Sequence, residues 1–261
     1  MRLKLKFQLS GKKQILPLNY QYPISAWIYK VLNRADENFA QMLHEKGYKT
    51  TLGKSFKLFT FSKLNFPKHT WKIIPNSDRM QIWARNAWLN VSFQLPEQTE
   101  KFVIGLFNEQ KAFFGDKISG IDLQVISVEP INDVRIGDLL KVRLQTNTAI
   151  VLGVDMEGQK NKQYVLPTDK VYKSLFLKNL IDKYDAIGKS GINTDDMDFK
   201  VIKLQTKTNL QTIKAFTSAE TKIRGYYYEF ELSAPKELIE LGINAGFGSM
   251  NSLGFGYCEL V

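Results

Sequence analysis

Residues 2–9 alternate strictly, with Leu3, Leu5, Phe7 and Leu9 on one face and Arg2, Lys4, Lys6 and Gln8 on the other. That period of two predicts a half-buried strand. After Pro23, a residue suited to the first turn of a helix, the period changes. Ile24, Trp27, Ile28, Val31 and Leu32 recur at helical spacing. A second short helix is predicted over about residues 37–45, with Phe39, Met42 and Leu43 inward and Gly47 as its stop. Strands are predicted over residues 56–64, 80–84 and 89–95. Pro96 and Glu97 open a third helix that turns Phe102, Leu106 and Phe107 inward, and a strand at 121–128 is ended by Pro130. The order then repeats. A strand at 140–144 precedes a helix capped by Asp169 and carrying Val171, Tyr172, Leu175, Leu180 and Ile181. Strands at 199–205 and 226–232, a short helix at 235–241 and a last strand at 254–260 follow. Residues 185–198, rich in Gly, Asp and Asn, read as a loop within the second half.

Each half thus runs strand, helix, strand, strand, helix, strand. This predicts an α+β chain of two tandem ferredoxin-like (βαββαβ) halves, residues 1–131 and 132–261. No repeat is visible residue by residue, so the expectation rests on element order. A ferredoxin-like sheet leaves one face open, and RNA-binding modules use such faces. With 261 residues, 44% hydrophobic and 24% charged, the chain can bury a core without disulfides. One cysteine, Cys258, and two histidines exclude a disulfide within the chain and leave too few ligands for a Cys/His zinc site. The expected compartment is a reducing cytoplasm. Residues 1–9 hold no uninterrupted apolar stretch and no apolar run reaches 18 residues, so neither a secretory leader nor a membrane partner is expected.

Charge changes the picture. The net charge is +10, and residues 1–72 hold 14 Lys and Arg against 3 Asp and Glu. The whole excess therefore lies in the first quarter of the chain. A field so concentrated suits a polyanion, since each neutralised phosphate releases counterions; it equally suits a solvated basic surface that aids solubility. The most informative motif is Gly-Phe-Gly-Ser-Met-Asn-Ser-Leu-Gly-Phe-Gly at residues 246–256. Gly246, Gly248, Gly254 and Gly256 can take positive φ and let backbone N–H groups approach a phosphate. Asn251 and Ser252 lie between the triplets. The segment lacks the Gly-Lys-Ser/Thr ending of a P-loop, and it precedes a strand instead of opening a helix, unlike a dinucleotide fingerprint.

This loop, placed just before the last strand, resembles the signature of the RAMP superfamily of CRISPR-associated proteins. Residues 17–22 (Pro-Leu-Asn-Tyr-Gln-Tyr) with 26–29 (Ala-Trp-Ile-Tyr), residues 39–47 (Phe-Ala-Gln-Met-Leu-His-Glu-Lys-Gly) and residues 57–62 (Lys-Leu-Phe-Thr-Phe-Ser) resemble blocks of its precursor-cleaving members, the sixth Cas family of repeat endoribonucleases. The resemblance implies binding of CRISPR repeat RNA and one cut per repeat in precursor CRISPR RNA. The implied chemistry is a metal-independent transesterification with no cofactor, leaving a 2′,3′-cyclic phosphate and a 5′-OH. It implies His44 as general acid, Tyr29 as the group assisting the 2′-OH, and Lys57 as the cation facing the phosphorane. Lys46, Lys49 and Lys54 lie between His44 and Lys57 and could take the role of Lys57 or bind RNA, as could the loop residues Gly246, Gly248, Asn251, Ser252, Gly254 and Gly256. An imidazole titrates near about pH 6.5, suited to proton transfer, whereas a phenol near about 10 is a poor base unless neighbours lower it. The alternative is a non-catalytic RAMP subunit that binds guide RNA in an effector complex. A homodimer and membership of such a complex are the protein partners left open. His69 reads as a turn residue. Lys203, Lys207, Lys222 and Arg224 read as a solvated strand face or as contacts to RNA backbone.

Overall fold

The computed structural model describes residues 1–11, 14–131, 141–154, 163–213 and 220–261. The expected boundary at 131/132 and the first residue of the strand predicted at 140–144 fall at 132–140, outside the described residues. The chain divides into two compact units, Met1–Glu45 with Ser62–Asp133, and Lys46–Phe61 with Val134–Val261.

In the first unit Arg2–Leu9 forms the strand its alternation predicts, with every second side chain buried. It pairs antiparallel with Asn86–Phe93 on one side and Gly120–Pro130 on the other, and Lys111–Gly115 extends the sheet. The helices are α1 (Gln21–Ala35), α2 (Glu37–Glu45) and α3 (Pro96–Asn108). Phe7 meets Trp27 of α1 and Phe114 with ring centroids 5.8 Å apart in each pair, and Trp27 meets Phe102 of α3 at 5.9 Å. Helices α1 and α3 touch at Gly105, where a Cβ would lie 1.9 Å from the Val31 carbonyl oxygen. Only glycine permits that approach. Phe107, expected inward, is 79% exposed. At about 100° per residue it points roughly 140° away from Phe102, off the stripe that Phe102 and Leu106 define. A small sheet of Gln14–Pro17, Arg79–Ile82 and Trp71–Ile73 completes this unit.

The second unit carries the full predicted order. Its sheet runs Asp198–Ile213, Thr221–Ser233, Lys141–Thr146, Cys258–Leu260, with helices α4 (Tyr172–Ala186) and α5 (Lys236–Ala245). First and third strands are central, which is the ferredoxin-like arrangement. The core is aromatic: Phe176 stacks on Phe199 at 4.1 Å and on Phe247 at 5.7 Å, and Phe230 packs on Phe247 at 5.4 Å. Burying each phenyl ring contributes about 1.5–3 kcal/mol.

Three further expectations are corrected by the structure. The strand predicted over 56–64 is interrupted, because Leu58 sits at φ 56°, a left-handed conformation that cannot continue a ladder. Ser55–Phe56 and Phe59–Phe61 are separate strands. Asp169 does not cap α4; its Oδ2 accepts the Leu166 N–H at 2.9 Å, closing a turn before a helix that starts at Tyr172. The last strand is Cys258–Leu260, shorter than predicted, because residues 254–257 belong to the glycine loop.

Candidate active site

The apolar stripe of α1, Ile24, Trp27, Ile28, Val31 and Leu32, is buried, which leaves Tyr29, Lys30 and Asn33 on its outer side. Helix α2 is anchored at its start by Asp36. One carboxylate oxygen accepts the Phe39 N–H at 3.0 Å and the other meets Lys101 Nζ at 2.8 Å. The Lys101 hydrogen bond, and then that N–H, hold the Asp36 carboxyl below the usual carboxylate range. With Phe39, Ala40 and Leu43 buried, His44 emerges exposed from the last turn. Its ring stands edge-on to that of half-buried Tyr29, with centroids 5.0 Å apart and planes at 86°. The pair borders an open hollow of about 310 Å³, lined also by Lys30, Asn33, Ala40 and Gln41. An imidazole, a phenol and an ammonium group on one concave surface can meet a ribose and its phosphate together.

Lys57 lies in the second unit, on the segment Lys46–Phe61. Tyr48–Lys49 and Ser55–Phe56 form a short hairpin that rests on α4. Thr51 donates from both N–H and Oγ1 to Asp185 Oδ2 at 3.0 Å, and Lys54 Nζ meets Asp182 Oδ2 at 2.8 Å. Lys54 is thereby committed to a half-exposed ion pair, while Lys46 and Lys49 are exposed. Lys57 is half-buried, and burial pushes its amine below the ordinary lysine range.

The glycine loop packs against the same segment. Gly246, Gly248, Gly254 and Gly256 all have positive φ, between 69° and 88°. A Cβ on Gly256 would lie 2.0 Å from the Phe247 carbonyl oxygen. Phe247 and Phe255, the centres of the two triplets, are fully buried. Asn251, also buried, donates from Nδ2 to the Phe247 carbonyl at 2.9 Å and the Phe255 carbonyl at 3.1 Å, so its side chain ties the triplets together. The amides of Phe247, Ser249, Gly254 and Gly256 donate to Gly256, Val151, Asn251 and Ala149 carbonyls. Those four N–H groups are spent inside the unit and are not offered to a ligand. Ser252 is half-buried at the loop surface.

Beneath the loop lies a residue that the pattern reading missed. Lys183 of α4 is 1% exposed, and its Nζ donates to the carbonyls of Gly246 at 2.5 Å and Gly248 at 2.8 Å. Burial pushes this amine well below its ordinary pKa, and the charge on Lys54 pushes the same way. A signal existed, since Lys183 follows Phe176 and Leu180 at i+7 and i+3, on the buried stripe of α4. Tyr29 and His44 thus come together in the first unit, while Lys57, Lys46, Lys49, Lys54 and the loop belong to the second. His69 sits in an exposed turn at φ 63°. Among the described residues no three His, Cys, Asp or Glu side chains are grouped to hold a metal ion, and no helix is long and apolar enough to cross a membrane.

Comparison with known proteins agrees with this architecture. Two family models match, "CRISPR-associated protein Cas6, N-terminal" over residues 15–128 and "CRISPR associated protein Cas6, C-terminal" over residues 137–260. The chain is 25% identical over 264 residues to a CRISPR-associated endoribonuclease Cas6 of Methanocaldococcus jannaschii, covering 98% of this chain and 91% of that one. It is 24% identical to an endoribonuclease-like Cas6 protein of Pyrococcus furiosus, covering 100% of this chain and 99% of that one. A solved structure described as a RAMP protein binding different RNA substrates superposes with a TM-score of 0.81 at 22% identity, over 100% of this chain and 99% of that one. One family's two models together reach from residue 15 to residue 260, and the tandem ferredoxin-like fold is the one its structures share: the chain belongs to the Cas6 family of CRISPR-associated RAMP endoribonucleases.

Proposed function

We propose that this protein binds CRISPR repeat RNA and cuts precursor CRISPR RNA once per repeat without a metal ion. The observation that carries the reading is the Tyr29–His44 pair, 5.0 Å apart on an open hollow beside Lys30, in a chain of an endoribonuclease family. The RNA supplies its own nucleophile. The ribose 2′-oxygen forms a bond to the adjacent phosphorus, the bond from phosphorus to the 5′-oxygen breaks, and the upstream product ends in a 2′,3′-cyclic phosphate. Tyr29 accepts the hydrogen bond of the 2′-OH, whose proton passes to solvent. His44 in its imidazolium form gives its Nε2 or Nδ1 proton to the departing 5′-oxygen, leaving a 5′-OH. Lys57 supplies positive charge to the phosphorane, where two negative oxygens develop. Lys46 and Lys49, exposed and close in sequence, contact the RNA backbone.

The test uses repeat RNA from a neighbouring CRISPR array. Cleavage should survive excess chelator, and a 2′-deoxy nucleotide upstream of the scissile phosphate should abolish it. His44→Ala should lower the single-turnover rate by about 10²–10⁴-fold with little change in affinity. A 5′-phosphate on the downstream product would refute the reaction class. A second reading, a RAMP protein that holds RNA without cutting it, is supported by the "-like" relative that aligns along the whole chain. Tight binding with no cleavage of any repeat RNA would select it.

A further inference from the structure

The small sheet of the first unit displays a tryptophan where a buried side chain would be wasted. Met80 and Ile82 of the strand Arg79–Ile82 point inward and are buried. Alternation turns Gln81 and Trp83 outward, and Trp83 is 40% exposed. Its backbone N–H donates to the Thr70 carbonyl at 2.9 Å, which fixes the chain beneath the indole. Lys72 lies opposite Gln81 in the register, diagonal to Trp83, and Arg85 follows two positions along. Both are exposed, and neither enters an ion pair among the described residues. Ile15, opposite Gln81 on the other neighbouring strand, is 41% exposed on the same face.

The segment that builds most of this face is mainly basic. Residues 62–85 contain Lys63, Lys68, Lys72, Arg79 and Arg85 with Asp78 as the sole acid. Arg79 is taken up by Asp116 at 2.7 Å, which leaves Lys68, Lys72 and Arg85 outside any ion pair among the described residues. An exposed indole, with Lys72 diagonal to it across the register and exposed Arg85 two residues along the chain, offers what unpaired nucleotides require: a π-face for a base and positive charge for the phosphates. An acidic protein surface could satisfy the cations, but its carboxylates would leave the exposed indole face uncovered.

We propose that the outer face of this sheet, Trp83 with Lys72 and Arg85, is a stacking site for single-stranded RNA, apart from the Tyr29–His44 hollow. The inference rests on the reading of the protein as an RNA binder and assigns it a contact outside the reacting nucleotides, suited to the unpaired flank of a repeat.

The probe is a short 5′-fluorescein oligouridylate, measured by anisotropy with the full chain, alongside cleavage of repeat RNA. Trp83→Ala should weaken oligouridylate binding by about 5- to 150-fold, the range for losing one stacked base, and Trp83→Phe should retain most of the affinity. Lys72→Glu with Arg85→Glu should flatten the dependence of log affinity on log salt by about 0.7 for each phosphate that is no longer neutralised. Irradiation of 5-iodouridine RNA should leave an adduct on Trp83, located by mass spectrometry. The rate of cutting at saturating repeat RNA should stay unchanged in all these variants. Affinity within about twofold of wild type for Trp83→Ala, or an adduct found only elsewhere, overturns the proposal. So does a Trp83→Ala protein that fails to bind a protein partner yet holds RNA as before. Oligouridylate bound through Trp83 by a protein that cuts no repeat RNA would sustain this site and refute the catalytic reading. Cutting that ignores Trp83, in affinity and in crosslinking, would do the reverse.

Discussion

Lys183→Met isolates what the buried amine does for the glycine loop. Methionine keeps the length and nearly the volume of the side chain, so the change removes a donor without leaving a large cavity. Two carbonyls, Gly246 and Gly248, lose the hydrogen bonds they receive at 2.5 and 2.8 Å. A buried acceptor left unsatisfied costs about 1–3 kcal/mol. Part of that is returned because no amine need be desolvated, so the net loss should be about 2–3 kcal/mol. Urea unfolding at constant m-value measures it. The pH dependence sharpens the test. The folded-state pKa of Lys183 lies well below its ordinary 10.5, so the folded state disfavours the charged form. Below the folded pKa both states carry the proton and the whole penalty is present. As pH rises from the folded pKa toward 10.5 the unfolded chain holds more protons than the folded one, and stability rises. Wild type should therefore gain stability between the folded pKa and 10.5 relative to Lys183→Met, and the difference between the two proteins should widen with pH across that window. A loss below about 0.5 kcal/mol, where a single unsatisfied carbonyl already predicts more, or parallel pH curves, would show that water or another donor reaches these carbonyls and that Lys183 does not hold the loop.

The glycines should separate by cause. Gly256→Ala places a Cβ 2.0 Å from the Phe247 carbonyl oxygen and should cost more than about 3 kcal/mol in unfolding experiments. Gly254→Ala, at φ 87° and ψ 29°, carries the left-handed penalty of about 1–2 kcal/mol. Equal costs would mean that crowding at Gly256 is relieved by a shift of the loop. For the exposed lysines, Lys46→Glu with Lys49→Glu should weaken repeat-RNA binding and reduce the salt slope by about 0.7 for each phosphate they neutralise. Lys54→Glu should first lower stability, because it sets a carboxylate against Asp182, now 2.8 Å from the ammonium; the reverse ranking in binding and unfolding assays would contradict these assignments.

Periodicity reported the elements whose burial follows one stripe. Arg2–Leu9 and the buried face of α1 match the pattern residue for residue, because a regular element with one wet side writes its period into the chain. Departures occur where a local feature overrides that period. Leu58 at φ 56° splits a run of strand-forming residues, and nothing in Lys-Leu-Phe-Thr-Phe announces it. Phe107 is apolar but off the stripe. The paired Gly-Phe-Gly triplets were legible as a motif and as sites of positive φ, but not the direction in which their amides point, which depends on carbonyls of Val151 and Ala149 far away in sequence. Only the resemblance to a family singles out Tyr29 and His44 in the sequence. Their closeness follows from the way α1 packs on α2, which a reading of one helix at a time does not contain. Lys183 was passed over because a lysine is presumed to be exposed; its place on the stripe with Phe176 and Leu180 was the stronger signal.

Lys57 offers a way to tell a catalytic cation from a structural one. Burial lowers its pKa below 10.5, and only the charged form can stabilise a phosphorane. If Lys57 is that cation, the cleavage rate must fall on the alkaline side at a pH below the ordinary lysine range. Stability moves the other way there: the cost of the charged amine in the folded state is complete below the folded pKa and is relieved as pH rises toward 10.5. A falling rate on a protein that this residue is making more stable cannot be ascribed to unfolding at Lys57. Lys57→Arg keeps a charge that does not titrate in this range, so its alkaline limb should move upward even if the rate constant drops. Lys57→Ala should lower the rate by about 10²–10³-fold, the usual effect of removing one transition-state donor. Pre-steady-state cleavage across the alkaline range, with intrinsic fluorescence as a check on folding, gives both limbs. A full rate for Lys57→Ala with the alkaline limb unmoved would pass the role to Lys46 or Lys49, the exposed neighbours on the same segment, since the amine of Lys54 is already held by Asp182.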